Sequence, residues 1–268
     1  MLAKIFITLC QIPLLRKFLW RCWYQFLASR HLQRDWTFMN YGYESLGKPL
    51  NLTLAPEDEK DRYCIQLYHQ IIENVALSHK EVLEVGSGRG GGSSYIQRYF
   101  KPARTIGIDY SEKAVELCLK KYQAPSLAFM KGDAESLPFG NEAMDVIFNV
   151  ESSHCYGNIQ AFFHEVYRVL RPEGYFLYAD FRDKQSVERW VKDLKDSGLR
   201  LIQQKDITSN VLAALEADNQ RKMRLIQEYV SKLLMNSFLD FAGMKEGIVY
   251  ELFRKRDLLY FSFVLKKS

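Results

Sequence analysis

From residue 56 onward the apolar positions change period repeatedly. Pro56-Glu57-Asp58 opens a stretch in which Ile65, Leu67, Tyr68, Ile71, Ile72 and Val75 recur at helical spacing behind an acidic first turn, the pattern of a helix start. Short apolar runs follow at 82–85, 105–108, 127–130, 144–150 and 175–179, and amphipathic stretches at 91–100, 111–121, 159–170 and 184–195 alternate with them. Fully apolar strands alternating with helices predict a mostly parallel sheet covered on both faces, a doubly wound α/β domain. Right-handed crossovers gather the strand-to-helix loops along one edge, where ligands bind. The region 209–241 reads as mostly helical and LLYFSFVL at 258–265 as a closing strand. A helical insertion, taken as 209–250, is therefore expected to lie over the ligand edge as a substrate lid.

Composition narrows this picture. With 268 residues, 47% of them hydrophobic, the chain can bury one sizeable core. The formal charge of +5 is misleading, because Lys4, Arg16, Lys17, Arg21, Arg30 and Arg34 fall in the first 34 residues without an acid. The rest is nearly neutral, which argues against a nucleic-acid surface. Five cysteines, odd in number and without a CxxC pair, suit reduced thiols in a cytoplasmic protein and give no metal site. The apolar run near the N-terminus is interrupted by Gln11 and Pro13 and followed by Arg16 and Lys17, too short to span a bilayer. Leu14, Leu15, Phe18, Leu19, Cys22 and Phe26 recur at helical spacing, so residues 1–30 suit either peripheral contact with an anionic membrane or packing on the domain.

EVLEVGSGRGGGSSYI, at 81–96, sets a glycine turn between a strand and a helix. Taken alone, Gly86, Gly88 and Gly91 satisfy a dinucleotide fingerprint, with Asp109 where a ribose-binding acid belongs. Three acids shift the balance. Glu84 precedes the first glycine, Asp109 ends the second strand in GIDYS and Asp133 ends the third in KGDAESLPF. Carboxylates after three consecutive strands suit an adenosine that carries a sulfonium and an α-amino group, namely S-adenosylmethionine (SAM).

EVGSGRG, IGIDYS, GDAESLPF, DVIFNVESSHCY and EVYRVLRPEGYFLYADFR, in this order, resemble the motifs of class I SAM-dependent methyltransferases. WRCWYQFL, FMNYGYE, IQLYHQ, GRGGGSSYI, NVESSHCY and YADFR narrow the resemblance to the phthiotriol/phenolphthiotriol dimycocerosates methyltransferase family. The resemblance implies a Rossmann-like sheet whose last strand is antiparallel, preceded by N-terminal helices. It divides the chain into a segment 1–55 that caps the cofactor and a methyltransferase domain 56–268. It also implies roles: Glu84, Gly86, Ser87 and Gly88 at the methionine part, Asp109 and Tyr110 at the ribose, Asp133 and Ala134 at the adenine, and Asn149 near the sulfonium. Tyr41 and Tyr43 would reach over the cofactor from the N-terminal segment. The implied activity is O-methylation of a hydroxyl on a long lipid or polyketide.

FNVESSHCY, at 148–156, crowds a carboxylate, two hydroxyls, an imidazole and a thiol behind the fourth strand. Ser152 and Ser153 lack a nucleophile elbow, and Cys155 beside His154 leaves the glycine loop unexplained. An imidazole can take and return a proton near neutral pH. Related sugar O-methyltransferases pair a histidine here with an aspartate after the fifth strand, a position matched by Asp180. His154 is thus expected as general base, Asp180 as its orienting partner and Glu151 as shaping the site. A carbon methyltransferase acting on a prenyl lipid or quinone, and a non-catalytic SAM-binding membrane-associated protein, remain open alternatives.

Overall fold

The computed structural model describes residues 36–73, 75–230 and 235–268, without the side chains of 229, 236, 237 and 241. The expectations for residues 1–30 therefore lie outside the described residues. A single turn of 3-10 helix at Glu59–Asp61 leads into α1 (Arg62–Ile72), so the acidic residues Glu57 and Asp58 precede the helix rather than form its first α-turn. Then come β1 (Glu81–Val85), α2 (Gly91–Phe100), β2 (Arg104–Asp109), α3 (Glu112–Lys121), β3 (Leu127–Lys131), β4 (Met144–Val150), α4 (Ile159–Val169), β5 (Leu170–Asp183) and α5 (Val187–Asp196). The chain closes with β6 (Arg200–Asp206), α6 (Thr208–Ala217), α7 (Asn219–Tyr229), α8 (Met235–Phe241), α9 (Ile248–Arg254) and β7 (Leu258–Lys266).

The seven strands run in the order β3-β2-β1-β4-β5-β7-β6. Strands β1 to β5 pair in parallel, and β7 inserts antiparallel between β5 and β6. This is the expected class I arrangement with one strand more than the hydrophobic runs predict. The additional strand, β6, is an edge strand with the sequence RLIQQKD and leaves most of its side chains exposed. An edge strand needs only one buried neighbour and can carry a polar sequence, so no apolar run marked it.

Strand pleating divides the core. In β1, Val82 faces one apolar cluster and Leu83 the other; in β4, Val146 and Phe148 oppose Ile147. The first cluster takes in α1, α2, α6 and α9, and the second α4 and α5. Because both faces are covered, the polar groups needed for chemistry are confined to the edge where β1 to β5 end. Two of the helices that follow are capped by side chains there: Ala114 N–H donates to Ser111 Oγ at 3.4 Å and Ala161 N–H to Asn158 Oδ1 at 3.0 Å. Among the described residues no helix is long and apolar enough to cross a membrane.

Candidate active site

A cavity opens at the carboxyl ends of β1 to β5. Its wall includes residues 36–41, the glycine loop, the turns after β2, β3 and β4, Phe181, and Arg221, Lys222, Leu225, Phe238 and Ala242 from α7, α8 and the turn that follows. The glycine loop is held down by backbone bonds, with Gly86 and Ser87 N–H both donating to the Ile108 carbonyl at 2.9 Å. Gly86 has φ +77°, and a Cβ there would stand 2.2 Å from Ser152 Oγ. The strand-end turn after β4 can therefore press against the loop only because residue 86 has no side chain.

Asp109, at the end of β2, lies on the cavity wall and accepts from Gly88 N–H at 2.9 Å and Ser111 N–H at 2.8 Å. Burial raises its pKa and these two bonds oppose the rise. Tyr110, Asp133 and Ala134 complete the wall at the β2 and β3 ends, and Asp133 Oδ1 accepts from Glu135 N–H at 3.0 Å. The Ser87 hydroxyl is buried on the same wall with no hydrogen-bond partner among the described residues.

Other predicted residues sit behind the wall. Glu84 is fully buried beneath the loop, where its carboxylate accepts from Tyr68 OH at 2.7 Å and from the Ser93 hydroxyl. Burial pushes its pKa up to about 7. A Cβ at Gly92 would meet Glu84 Oε1 at 2.5 Å, so the carboxylate supports the α2 N-terminus from below. Asn149 is equally buried; its Nδ2 lies 2.9 Å from the Val85 carbonyl, 2.8 Å from Ser152 Oγ and 2.9 Å from Tyr156 OH. It ties β1 to the turn after β4. Tyr41 lies on the cavity wall but Tyr43 does not. Gly42 turns the chain at φ +89°, and Tyr43 N–H then pairs with the Tyr63 carbonyl at 2.9 Å while its ring packs at the edge of the first core.

His154 and Asp180 meet. His154 Nδ1 stands 2.9 Å from Asp180 Oδ1, the His154 backbone N–H donates to Asp180 Oδ2 at 2.9 Å, and the imidazole packs against Phe181 with ring centroids 4.5 Å apart and planes tilted by 32°. His154 lines the cavity while Asp180 has no exposed surface. Burial opposes ionisation of Asp180, yet its ion pairs and hydrogen bonds with His154, Arg182 and Ser153 hold its pKa well below the usual carboxylate range. Ser153 Oγ donates to Asp180 Oδ2 at 2.5 Å, and Arg182 Nη1 lies 3.3 Å from the same oxygen. Arg182 also donates to Ser153 Oγ at 2.8 Å and lies over the Trp190 ring at 4.5 Å. Sequence reasoning passed over Ser153 and Arg182. The signal was period two along β5, which sets Tyr178, Asp180 and Arg182 on one face of the strand.

Glu151 follows β4 in a left-handed conformation, φ +47°, and accepts from Tyr41 N–H at 2.8 Å. Burial pushes its pKa up to about 8, and the negative charge of Asp180 adds to the rise. No group of His, Cys, Asp and Glu that could hold a metal is present among the described residues.

Comparison with known proteins adds to this geometry. Residues 83–178 match a family model described as a methyltransferase domain. The phthiotriol/phenolphthiotriol dimycocerosates methyltransferase of Mycobacterium tuberculosis is 40% identical over 230 residues, covering 85% of this chain and 84% of that one. The chain belongs to this methyltransferase family. A fatty-acid O-methyltransferase of Mycolicibacterium smegmatis is 37% identical over 220 residues, 82% of this chain and 80% of that one. Two solved structures share the fold at lower identity. Geranyl diphosphate C-methyltransferase of Streptomyces coelicolor has a TM-score of 0.64 at 16% identity over 91% of this chain and 98% of that one. The StiE O-methyltransferase domain gives 0.66 at 18% over 87% of each.

The protein is thus a class I SAM-dependent methyltransferase, and its cavity fits that cofactor. Asp109 spends one bond per oxygen on backbone N–H groups and keeps further lone pairs for hydroxyl donors. The buried Ser87 hydroxyl needs a polar partner, since buried polar groups are as a rule hydrogen-bonded.

Proposed function

We propose that the protein transfers a methyl group from SAM to a hydroxyl of a large lipid or polyketide acceptor, with His154 as general base. SAM supplies an electrophilic methyl on a good leaving group. What remains for the chain is to align the acceptor, exclude water and take the hydroxyl proton. Alignment in such a cleft contributes roughly 7–11 kcal/mol, and a positioned base about 10²- to 10⁴-fold in rate.

The observation that carries the proposal is the His154–Asp180 pair. With Asp180 Oδ1 accepting from Nδ1, the neutral imidazole carries its hydrogen on Nδ1 and leaves Nε2 as the basic nitrogen. Asp180, held ionised, also stabilises the imidazolium once the proton has moved. In this reading Asp109 and Tyr110 hold the ribose, Asp133 and Ala134 the adenine, and Gly86, Ser87 and Gly88 the methionine part. Glu84 and Asn149 act one layer back, by fixing the loop. Residues 36–41 and the helices within 209–250 form strap and lid over the cleft, and residues 1–30 make peripheral contact with a membrane.

The family supports a lipid acceptor through its relatives' names, and the fatty-acid O-methyltransferase among them favours a second reading in which the acceptor is a carboxylate. A carboxylate is already deprotonated and needs no base. Incubation with methyl-labelled SAM and long-chain diols, alcohols or fatty acids separates these readings. Label in an ether, lost in His154→Ala, supports the proposal. Label in an ester made equally by His154→Ala selects the second reading, and label on carbon rejects both.

A further inference from the structure

Two neighbours on α7 have different electrostatic fates. Arg221 is paired twice, with Asp61 Oδ1 at 3.0 Å and Asp218 Oδ2 at 2.6 Å. Lys222, on the cavity wall and 9% exposed, forms no ion pair among the described residues. Its Nζ donates to the Tyr41 carbonyl at 3.3 Å and lies 5.8 Å from the centroid of the Tyr41 ring. The Glu151 carboxyl, which accepts from the Tyr41 N–H, is pushed towards its neutral form by burial, and the charge of Lys222 only partly opposes this. A buried ammonium whose hydrogen-bond partner among the described residues is a peptide carbonyl, and which has no carboxylate within ion-pair distance there, is costly unless a ligand brings an anion.

A second residue of the same wall is incomplete in the opposite sense. Asn40, 7% exposed, donates through Nδ2 to the Cys64 carbonyl at 3.3 Å, while its Oδ1 is buried without a donor among the described residues. The wall thus offers a cation that lacks an anion and an acceptor that lacks a donor. An α-amino acid end supplies both, a carboxylate for Lys222 and an ammonium for Asn40.

We propose that Lys222, with Asn40, grips the zwitterionic amino-acid end of the cofactor, so that the lid helix α7 itself reads the methionine part. This rests on the cavity being the cofactor site, as proposed above. One consequence is that cofactor binding and lid position are coupled, since the ligand bridges α7 to the strap that carries Asn40.

Calorimetry with three ligands on the full chain tests it: S-adenosylhomocysteine, 5′-methylthioadenosine, which lacks the amino-acid end, and palmitate. Lys222→Met is expected to weaken S-adenosylhomocysteine roughly ten- to hundredfold and to leave methylthioadenosine within twofold. Lys222→Arg, which keeps the charge, should restore most of the loss. If Lys222→Met melts early, Lys222→Gln is measured in its place, with thermal unfolding as the control. Unchanged S-adenosylhomocysteine affinity overturns the proposal; if palmitate weakens instead, the anion at Lys222 belongs to the acceptor. Failure of the wild type to bind S-adenosylhomocysteine at all would instead sink the placement of the cofactor.

Discussion

At the β1–β3 end of the cavity the polar groups on the wall come from the turns that follow three successive strands, within residues 86–135. The wall at the β4–β5 end draws on residues 36–41, 151–156, 181 and 221–242. The first end is a backbone device: positive-φ glycines and single carboxylates, each set by its own strand. The second is a side-chain device, assembled from parts distant in the chain and held by a buried network around Asp180. A local device survives as a motif, while an assembled one can vary its parts. In the reading proposed above, the first end holds the nucleoside and the second serves the acceptor, with Lys222 and Asn40 reaching from that second end to the amino-acid part of the cofactor.

The comparison can be broken most severely at Asp180. Asp180→Asn places a donor among Ser153, Arg182 and the His154 amide, all of which donate, and removes the anion that holds the imidazole. Turnover is expected to fall roughly 10³- to 10⁴-fold with SAM affinity within a few-fold, measured by steady-state kinetics and calorimetry below the variant's melting temperature. Asp109→Ala should do the reverse. It removes an acceptor for the ribose and the brace on Gly88, and SAM affinity should drop roughly 10- to 100-fold while turnover at saturation changes little.

Glu151 sharpens the comparison through pH. Its folded-state pKa of about 8 lies above the ordinary 4.5, so between these values the folded chain binds more protons than the unfolded chain. Stability from this group is full below about pH 4.5 and is lost as pH rises through 8. Glu151→Gln removes that loss. Its melting temperature relative to wild type should rise between pH 5 and pH 9, by about 2–4 °C for each kcal/mol involved, as scanning calorimetry at the two pH values would show. Cys155→Ser marks the small end. The thiol lies on the wall and serine keeps a hydrogen-bonding group of similar size there, so turnover and SAM affinity should stay within about twofold.

Much of the fold was legible because its strands are buried on both faces. Val82 to Val85 and Met144 to Val150 are apolar runs that only a covered parallel sheet explains. Strand β6 was not legible, since its edge position lets RLIQQKD stay polar. At the site, Asp109, Asp133 and His154 stood out because each comes at or after the end of an apolar run, whereas Asp180, which lies within β5, was pointed to by the resemblance. Tyr43 was set on the cavity because it shares a motif with Tyr41, and only the Gly42 turn sends the two apart. Lys222, Arg182 and Asn40 were out of reach. Their importance comes from which groups they lack or share in three dimensions, and no periodicity records that.

The central claim is that His154 serves the transfer step and not the cofactor. For His154→Ala, SAM affinity by calorimetry and the single-turnover rate of labelled methyl transfer to a long-chain alcohol are measured side by side. The account predicts affinity within about twofold of wild type and a rate lower by roughly 10²- to 10⁴-fold. A wild-type rate, or a loss of affinity that accounts for the whole effect, would contradict it.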